Sequence, residues 1–226
     1  KGVTTVLLVR HGRTAANASG VLAGWTPGVH LDDDGRELAK RTAQRLTDLP
    51  VDGFVTSPLE RCRETAEILS ANHGRAARLN SDLDLAECRY GEWTGRSLAE
   101  LREEPLWQAI EHTPGSVTVP NGESMAGMQG RALQAVRRWN ARFGPHGGYV
   151  AVTHGDVIKA ILADALGMHL DRFQRIVVDP CSISVIRYGA QRPQVLRMND
   201  VDGDLSGLLG WPGDDAARLG GGDGRP

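Results

Sequence analysis

The chain alternates between short continuous apolar runs and longer stretches in which apolar residues recur every three or four positions. Apolar runs at Thr5–Val9, Gly53–Thr56 and Tyr149–Thr153 predict buried strands, because a strand covered on both faces has no polar side. Helical spacing predicts helices from about Gly35 to Leu49 and from Glu123 to about Phe143. Strands that alternate with helices indicate an α/β fold, with three α/β/α layers around a mostly parallel sheet.

Boundary residues add detail to this outline. Ser57-Pro58-Leu59-Glu60 predicts a helix start with Ser57 as the N-cap, and that helix carries Arg61 to about Ala71. Asp32–Asp34 similarly precede a helix. The remaining predictions are a short helix from Leu98 to about Glu104, a loop at Thr113–Gly122, a helix after His154-Gly155, and closing strands at 182–188 and 194–197.

The composition limits the function classes. The 226 residues are 40% hydrophobic and 24% charged, with a formal net charge of −2, so neither a nucleic-acid nor a membrane partner is expected. Cys62, Cys88 and Cys181 are widely spaced without a CxxC motif, which favours a reducing cytoplasm over a disulfide framework or a structural zinc site. We expect one domain over residues 1–212 and a disordered tail, rich in Gly and Asp, over residues 213–226.

Cationic groups follow the predicted strands. Arg10, His11 and Gly12 come directly after the first strand, Arg61 lies beyond the second, and His154 follows Tyr149–Thr153. The carboxyl ends of parallel strands line one crevice, so these groups are expected to meet there. Arginine suits phosphate, and histidine can act as a covalent nucleophile near neutral pH. The pattern therefore predicts a site for a dianionic phosphoryl group.

These residues resemble the histidine phosphatase superfamily, whose fold is called phosphoglycerate mutase-like. The resemblance covers roughly residues 4–190, in the family's order. The matching motifs are Arg10-His11-Gly12 with Thr14 and Asn17; Ser57-Pro58-Leu59 with Arg61 and Thr65; Leu85-Ala86-Glu87 leading to Tyr90-Gly91-Glu92-Trp93-Thr94-Gly95; Gly122-Glu123-Ser124; and Val152-Thr153-His154-Gly155.

The resemblance implies a role for each matching residue. His11 would be the nucleophile that forms a phosphohistidine, and Glu87 would be the general acid and base. Arg10, Arg61 and His154 would hold the phosphoryl oxygens. The remaining substrate contacts would come from Thr14, Asn17, Ala23, Gly24, Tyr90 and Gly155. Apart from the resemblance, the charge of Arg89 makes it a candidate contact for an anionic group of the substrate. The family's mechanism requires no metal and no cofactor.

Each residue taken alone has a structural alternative. Arg10 could be a surface residue, His11 could be a hydrogen-bonded core histidine, and Arg61 could lie on a solvated helix face. Glu87 competes with nearby acidic residues, namely Asp82, Asp84 and Glu92. The start of the helix at Glu123 could simply favour an acid through the helix dipole.

The predicted activity is hydrolysis of a small phosphorylated metabolite, and three alternatives remain. A phosphoglycerate mutase would need extra cations, but Glu103–Gly122 contains no Arg or Lys where the family's mutases carry an arginine pair. A metal phosphohydrolase would use His11, His154, Glu87 and an aspartate, although an HExxH motif is lacking. A non-catalytic phosphate-binding module would not need Glu87. A homodimer is one option for the assembly.

Overall fold

The computed structural model of this chain describes residues 3–73 and 78–201. Its described residues form one sheet of six strands in the order β3-β2-β4-β1-β5-β6. The strands are β1 (Thr4–Arg10), β2 (Gly53–Thr56), β3 (Arg78–Ser81), β4 (Gly148–Thr153), β5 (Ile183–Tyr188) and β6 (Pro193–Asp200). The α-helices are α1 (Ala15–Ala18), α2 (Asp33–Leu46), α3 (Glu60–Ala71), α4 (Leu98–Leu101), α5 (Pro105–His112), α6 (Met125–Phe143) and α7 (Gly155–Ala165).

The sheet is mostly parallel, as predicted. Strands β3, β2, β4 and β1 run parallel to one another, whereas β5 pairs antiparallel with β1 and β6 pairs antiparallel with β5. The register of β1 against β4 pairs Arg10 with Thr153. Because these two strands end side by side, the residues that follow them, His11 and His154, begin from adjacent positions.

Helices cover both faces of the sheet, which confirms the three-layer prediction. On one face, Leu8 and Ala151 belong to a buried cluster that includes residues of α6 and α7. On the other face, Val9 and Val152 belong to a cluster that includes residues of α2 and α3. Alternate side chains of a strand point to opposite faces, so both faces of the central strands must be apolar. This explains the continuous apolar runs in the sequence.

Two predicted helix starts differ from the structure. Helix α3 begins at Glu60 behind Leu59, which makes no side-chain cap bond, so the prediction of Ser57 as N-cap was wrong. The Ser57 hydroxyl instead lies 2.8 Å from His154 Nε2. Helix α6 begins at Met125 with Ser124 as its N-cap, which leaves Glu123 outside the helix. The Ser57 side chain is thus used in a tertiary contact, and Glu123 lies one residue before the N-cap of α6.

The segment between α3 and α6 was predicted least completely. Strand β3 was missed because its four residues, RLNS, are short, mainly polar and partly exposed. Helix α5 was also missed, although Pro105 occupies its first turn and Trp107 and Ile110 form its buried side. The closing strands β5 and β6 agree with the predictions at 182–188 and 194–197.

The predicted boundary at residue 212 and the predicted disordered tail, 213–226, lie outside the described residues. Within the described ranges, no helix combines the length and apolar character needed to cross a membrane.

Backbone packing behind the turn that follows β1 requires glycine. A methyl group at Gly35 would lie 2.1 Å from the carbonyl oxygen of Arg13, and one at Gly12 would lie 2.7 Å from the carbonyl oxygen of Gly35. We therefore expect Gly35→Ala to lower the free energy of unfolding by about 1–3 kcal/mol through overpacking. Urea denaturation measures this change.

Gly130→Ala provides the matched control, because Gly130 is exposed within α6 and an added methyl group meets no atom within 4 Å. There the same substitution is expected to raise the free energy of unfolding by about 0.5–1 kcal/mol. Equal changes in the free energy of unfolding at the two positions would show that the close backbone contact at Gly35 does not destabilise the alanine variant.

Candidate active site

The parallel ends of β1 and β4 bring two histidines together. The backbone N–H of His11 donates to the carbonyl oxygen of Thr153 at 3.0 Å, which continues the strand pairing by one residue. The imidazole rings of His11 and His154 then lie 5.3 Å apart, centroid to centroid, and both are almost fully buried. Two residues separated by 143 positions in the chain, 154 − 11, thus share one site.

His11 is held as a neutral imidazole with one defined tautomer. Its Nδ1 lies 2.7 Å from the carbonyl oxygen of Gly12, and a carbonyl oxygen can only accept, so Nδ1 carries the proton. Its Nε2 accepts from Arg61 Nε at 3.3 Å. Burial lowers the pKa of His11 well below its usual value, and the charges of Arg61 and Arg10 lower it further. Nε2 is therefore unprotonated, and its lone pair faces Arg61.

Arg61 connects the two histidines. Its Nη2 donates to the carbonyl oxygen of Gly24 at 2.9 Å and lies 3.2 Å from His154 Nδ1. Its Nη1 is buried and has no hydrogen-bond partner within the residues that the structure describes. A buried guanidinium donor without a partner is costly, so this geometry suits an incoming anion. Arg61 is thus a site residue rather than part of a solvated helix face.

Arg10 is fully buried at the end of β1, which excludes its alternative as a surface residue. Its Nη1 donates to the carbonyl oxygen of Val178 at 2.7 Å. Burial is the largest influence on Arg10 and lowers its pKa, although the negative charge of Asp179 opposes this. Burial of two guanidiniums beside neutral imidazoles favours binding of a negatively charged group.

His154 has the opposite tautomer from His11. Arg61 can only donate, so the 3.2 Å contact makes His154 Nδ1 the acceptor and places the proton on Nε2, which donates to the Ser57 hydroxyl. Burial lowers the pKa of His154 well below its usual value, and the charge of Arg61 contributes in the same direction. The Nδ1 edge also faces Glu87, whose Oε2 lies 3.7 Å away.

Glu87 has the protonation behaviour of a general acid. It is almost fully buried, and burial raises its pKa to about 7, with a further contribution from the negative charge of Asp156. Its Oε1 accepts from the backbone N–H of Cys88 at 2.9 Å. A carboxyl group with a pKa close to neutrality can both donate and accept a proton at physiological pH. Of the four acidic candidates, Glu87 is the residue that reaches His154.

The other residues predicted to contact substrate have defined positions. Thr14 caps α1, and the Asn17 side chain accepts from the Thr14 backbone N–H and hydroxyl. Gly24 has a φ of +50° and supplies its carbonyl oxygen to Arg61, directly after half-buried Ala23. Gly155 is the first residue of α7. Their contact with substrate stays a prediction.

Arg89 and Tyr90 lie on opposite sides of the segment after Glu87. Arg89 is exposed, and its guanidinium lies 4.6 Å from the centre of the Trp25 ring. Tyr90 is buried, and its hydroxyl donates to Asp156 Oδ2 at 2.7 Å. Direct contact of either residue with substrate also stays a prediction.

Four interactions around the site were not predicted from the sequence. Ser57 bonds to His154, Thr65 accepts from the Gly12 backbone N–H at 3.0 Å, and Asp156 raises the pKa of Glu87. Trp25 Nε1 donates to the carbonyl oxygen of Glu87 at 2.7 Å. The sequence signal for Asp156 is an acidic residue within the mainly apolar helix α7. The signal for Ser57 is its position directly after the buried strand β2.

The ionisable groups do not form a metal-binding arrangement in the parts of the chain that the structure describes. Within residues 3–73 and 78–201, no group of three His, Cys, Asp or Glu side chains is placed to hold a metal ion. Arginine guanidiniums lie beside both imidazoles instead.

Comparisons with known proteins show the family to which this chain belongs. A sequence profile of the histidine phosphatase superfamily (branch 1) matches residues 6–201. Phosphoserine phosphatase 1 of Hydrogenobacter thermophilus is 30% identical over 203 residues, which cover 86% of this chain and 91% of that protein. A probable phosphoglycerate mutase, GpmB of Erwinia tasmaniensis, is 32% identical over 186 residues, covering 79% and 82% respectively.

A solved structure extends the agreement to three dimensions. Bacillus stearothermophilus YhfR superposes with a TM-score of 0.80 at 30% identity, over 87% of this chain and 97% of that one. The profile match spans every described strand apart from the first two residues of β1. The profile, the relatives and the fold place this chain in the histidine phosphatase superfamily, branch 1.

Proposed function

We propose that this enzyme hydrolyses a small phosphomonoester through a phosphohistidine on His11. The observation that supports this most strongly is the tautomer of His11, whose Nδ1–H is held by Gly12 while its Nε2 lone pair faces Arg61. A histidine that only filled the core would not need two buried guanidiniums nearby. The relatives include both a phosphatase and a probable mutase, so the family alone does not select between these activities.

In the first proposed step, His11 Nε2 forms a bond to phosphorus as the bond from phosphorus to the ester oxygen breaks. The protonated Glu87 carboxyl group donates its proton to the leaving oxygen, which departs as a neutral alcohol. Arg10, Arg61 and His154 stabilise the negative charge on the phosphoryl oxygens. The phosphorylated imidazole keeps its Nδ1 proton and becomes cationic, and the Gly12 carbonyl oxygen stabilises that charge.

In the second proposed step, water attacks the phosphohistidine. The Glu87 carboxylate accepts a proton from the water as the new phosphorus–oxygen bond forms and the bond to His11 Nε2 breaks. His11 returns to its neutral form, and Glu87 is protonated again for the next cycle. A pKa of about 7 supports both roles for Glu87.

The substrate side favours hydrolysis over mutase activity. A mutase must retain its dephosphorylated product, which for a phosphoglycerate requires cations that grip a carboxylate. Residues 103–122 contain no Arg or Lys, and no lysine lies between Lys40 and Lys159. Arg89, ordered against Trp25, is the candidate cation for one additional anionic group on the substrate. A small phosphorylated metabolite with at most one further anionic group is therefore the proposed substrate class.

A cytoplasmic location forms part of the same proposal. The three cysteines are all free thiols, and all are buried. Reduced thiols without a disulfide framework fit a reducing compartment, where phosphorylated metabolites are abundant.

The activity itself is tested by a screen of phosphoserine, phosphoglycerates, sugar phosphates and nucleotides. We expect phosphate release from at least one such phosphomonoester without added metal. His11→Ala removes the nucleophile and should lower kcat by about 10³-fold or more. Phosphate release and product identity are the measurements.

His112→Ala is the matched control, because His112 is exposed at the end of α5 and bonds only locally, to Gln108. Its activity should equal that of the unmodified enzyme. Full activity in His11→Ala would contradict the mechanism. Efficient interconversion of phosphoglycerates that depends on bisphosphoglycerate would instead identify a mutase.

Glu87→Gln tests the general acid through the leaving group. We expect kcat/KM to fall by about 10²–10⁴ for an alkyl phosphomonoester, whose leaving oxygen needs a proton. For p-nitrophenyl phosphate the loss should be below about tenfold, because nitrophenolate leaves without protonation. In the unmodified enzyme, kcat/KM for the alkyl ester should also decline as pH rises through about 7, because Glu87 then loses its proton.

Glu92→Gln is the control for this comparison, since Glu92 is exposed five residues further along the same segment. It should leave the ratio of the two substrates unchanged. A Glu87→Gln variant that slows both substrates equally would remove Glu87 as the acid.

A further inference from the structure

The carboxyl group of Glu87 has few side-chain bonds of its own. Among the described residues, Oε1 accepts only from the next backbone N–H, that of Cys88, and Oε2 lies 3.7 Å from His154 Nδ1, beyond hydrogen-bond distance. Its direction must therefore be set by the main chain that carries it. Because residues 86–90 lie outside the helices and strands, that main chain needs other support.

Arg131, in the second turn of α6, provides this support. Its Nη1 donates to the carbonyl oxygens of Asp84 and Ala86 at 2.9 and 2.7 Å. Its Nη2 donates to the carbonyl oxygen of Glu87 itself at 2.9 Å. Three carbonyl groups that lead up to and include the general acid thus converge on one guanidinium.

Glu123 completes the arrangement on the other side of Glu87. Its carboxylate accepts from Arg131 Nε and Nη2, and its Oε1 also accepts from the backbone N–H of Arg89 at 2.9 Å. The five N–H donors of Arg131 match these five contacts: three carbonyl oxygens and two carboxylate oxygens. A guanidinium with every donor used internally has none left for a substrate phosphate.

The Glu87 carbonyl oxygen also receives the Trp25 Nε1 donor. Trp25 directly follows Gly24, whose carbonyl oxygen binds Arg61. The peptide group of Glu87 is therefore fixed between α6 and the loop that contacts the phosphate-binding arginine. The position of Glu87 is therefore linked to that of Arg61, which donates to His11.

We propose that Arg131, paired with Glu123, is the positioning residue for the general acid of this enzyme. The inference rests on the proposed role of Glu87. The Arg131 guanidinium aligns the backbone from Asp84 to Glu87 so that the Glu87 carboxyl group reaches the leaving oxygen. A lysine at position 131 would keep the charge but supply three donors from one point, which cannot replace the planar set of five.

Arg131→Lys tests this role with the two substrates that distinguish acid-assisted cleavage. A displacement of about 1 Å at a catalytic group can cost about 10²-fold in rate. We therefore expect kcat/KM for the alkyl phosphomonoester to fall at least tenfold more than kcat/KM for p-nitrophenyl phosphate, because only the alkyl leaving group needs the acid in the first step. Arg142→Lys, an exposed position near the end of the same helix, should change neither.

The same substitution in the Glu87→Gln background separates positioning from general stability. If Arg131 acts through Glu87, Arg131→Lys should cause no further selective loss once the acid is absent. Equal loss on both substrates, or the same selective loss in the Glu87→Gln background, would overturn the proposal. If Glu87→Gln shows no leaving-group dependence at all, the acid assignment fails, and that result is distinct from a failure at Arg131.

Glu123→Gln keeps the proposal testable if Arg131→Lys does not fold. The amide keeps the side-chain shape but removes the charge and one of the two acceptor oxygens that Arg131 uses. It should give a smaller loss, again larger for the alkyl ester and absent in the Glu87→Gln background. A loss shared equally by both substrates would contradict the proposal here as well.

Discussion

The parallel pairing of β1 with β4 is the constraint on which the site depends. Its register sets Arg10 opposite Thr153, and the bond from the His11 N–H to the Thr153 carbonyl oxygen extends that register past the strand ends. Two imidazoles from distant parts of the chain are placed together by backbone hydrogen bonds. Buried side chains on both faces secure the register, because a shift of one residue would move each side chain from its own close-packed cluster to the opposite one.

Electrostatics then determine what these residues can do. Burial and neighbouring guanidiniums keep both imidazoles neutral, while burial raises the pKa of Glu87 to about 7. The site thus contains a neutral imidazole at His11, a carboxyl group at Glu87 with a raised pKa, and a buried Arg61 donor without a described partner. A phosphate dianion would satisfy that donor and balance the positive charge. The charges of Arg61 and Arg10 also lower the pKa of His11 and so disfavour its protonation.

Much of this arrangement could be predicted from the sequence, because strand ends are marked by where apolar runs stop. Arg10, His11 and His154 follow such runs directly. Arg131 could not be found in this way, since an arginine on an amphipathic helix looks solvated until its carbonyl partners are known. Ser57 was misassigned because a helix cap and a tertiary contact use the same hydroxyl. Strand β3 depends on pairing with β2 rather than on its own polar residues.

The central claim is that His11 attacks through Nε2, and the position of the phosphoryl group on the ring tests it most directly. Glu87→Gln should accumulate the phosphoenzyme from p-nitrophenyl phosphate, because water is no longer activated. Rapid quenching in alkali, peptide mapping and heteronuclear NMR would then locate the phosphorus. The account predicts phosphate on Nε2 of His11, opposite the Nδ1–H held by Gly12. Phosphate on Nδ1, or on any other residue, would contradict it.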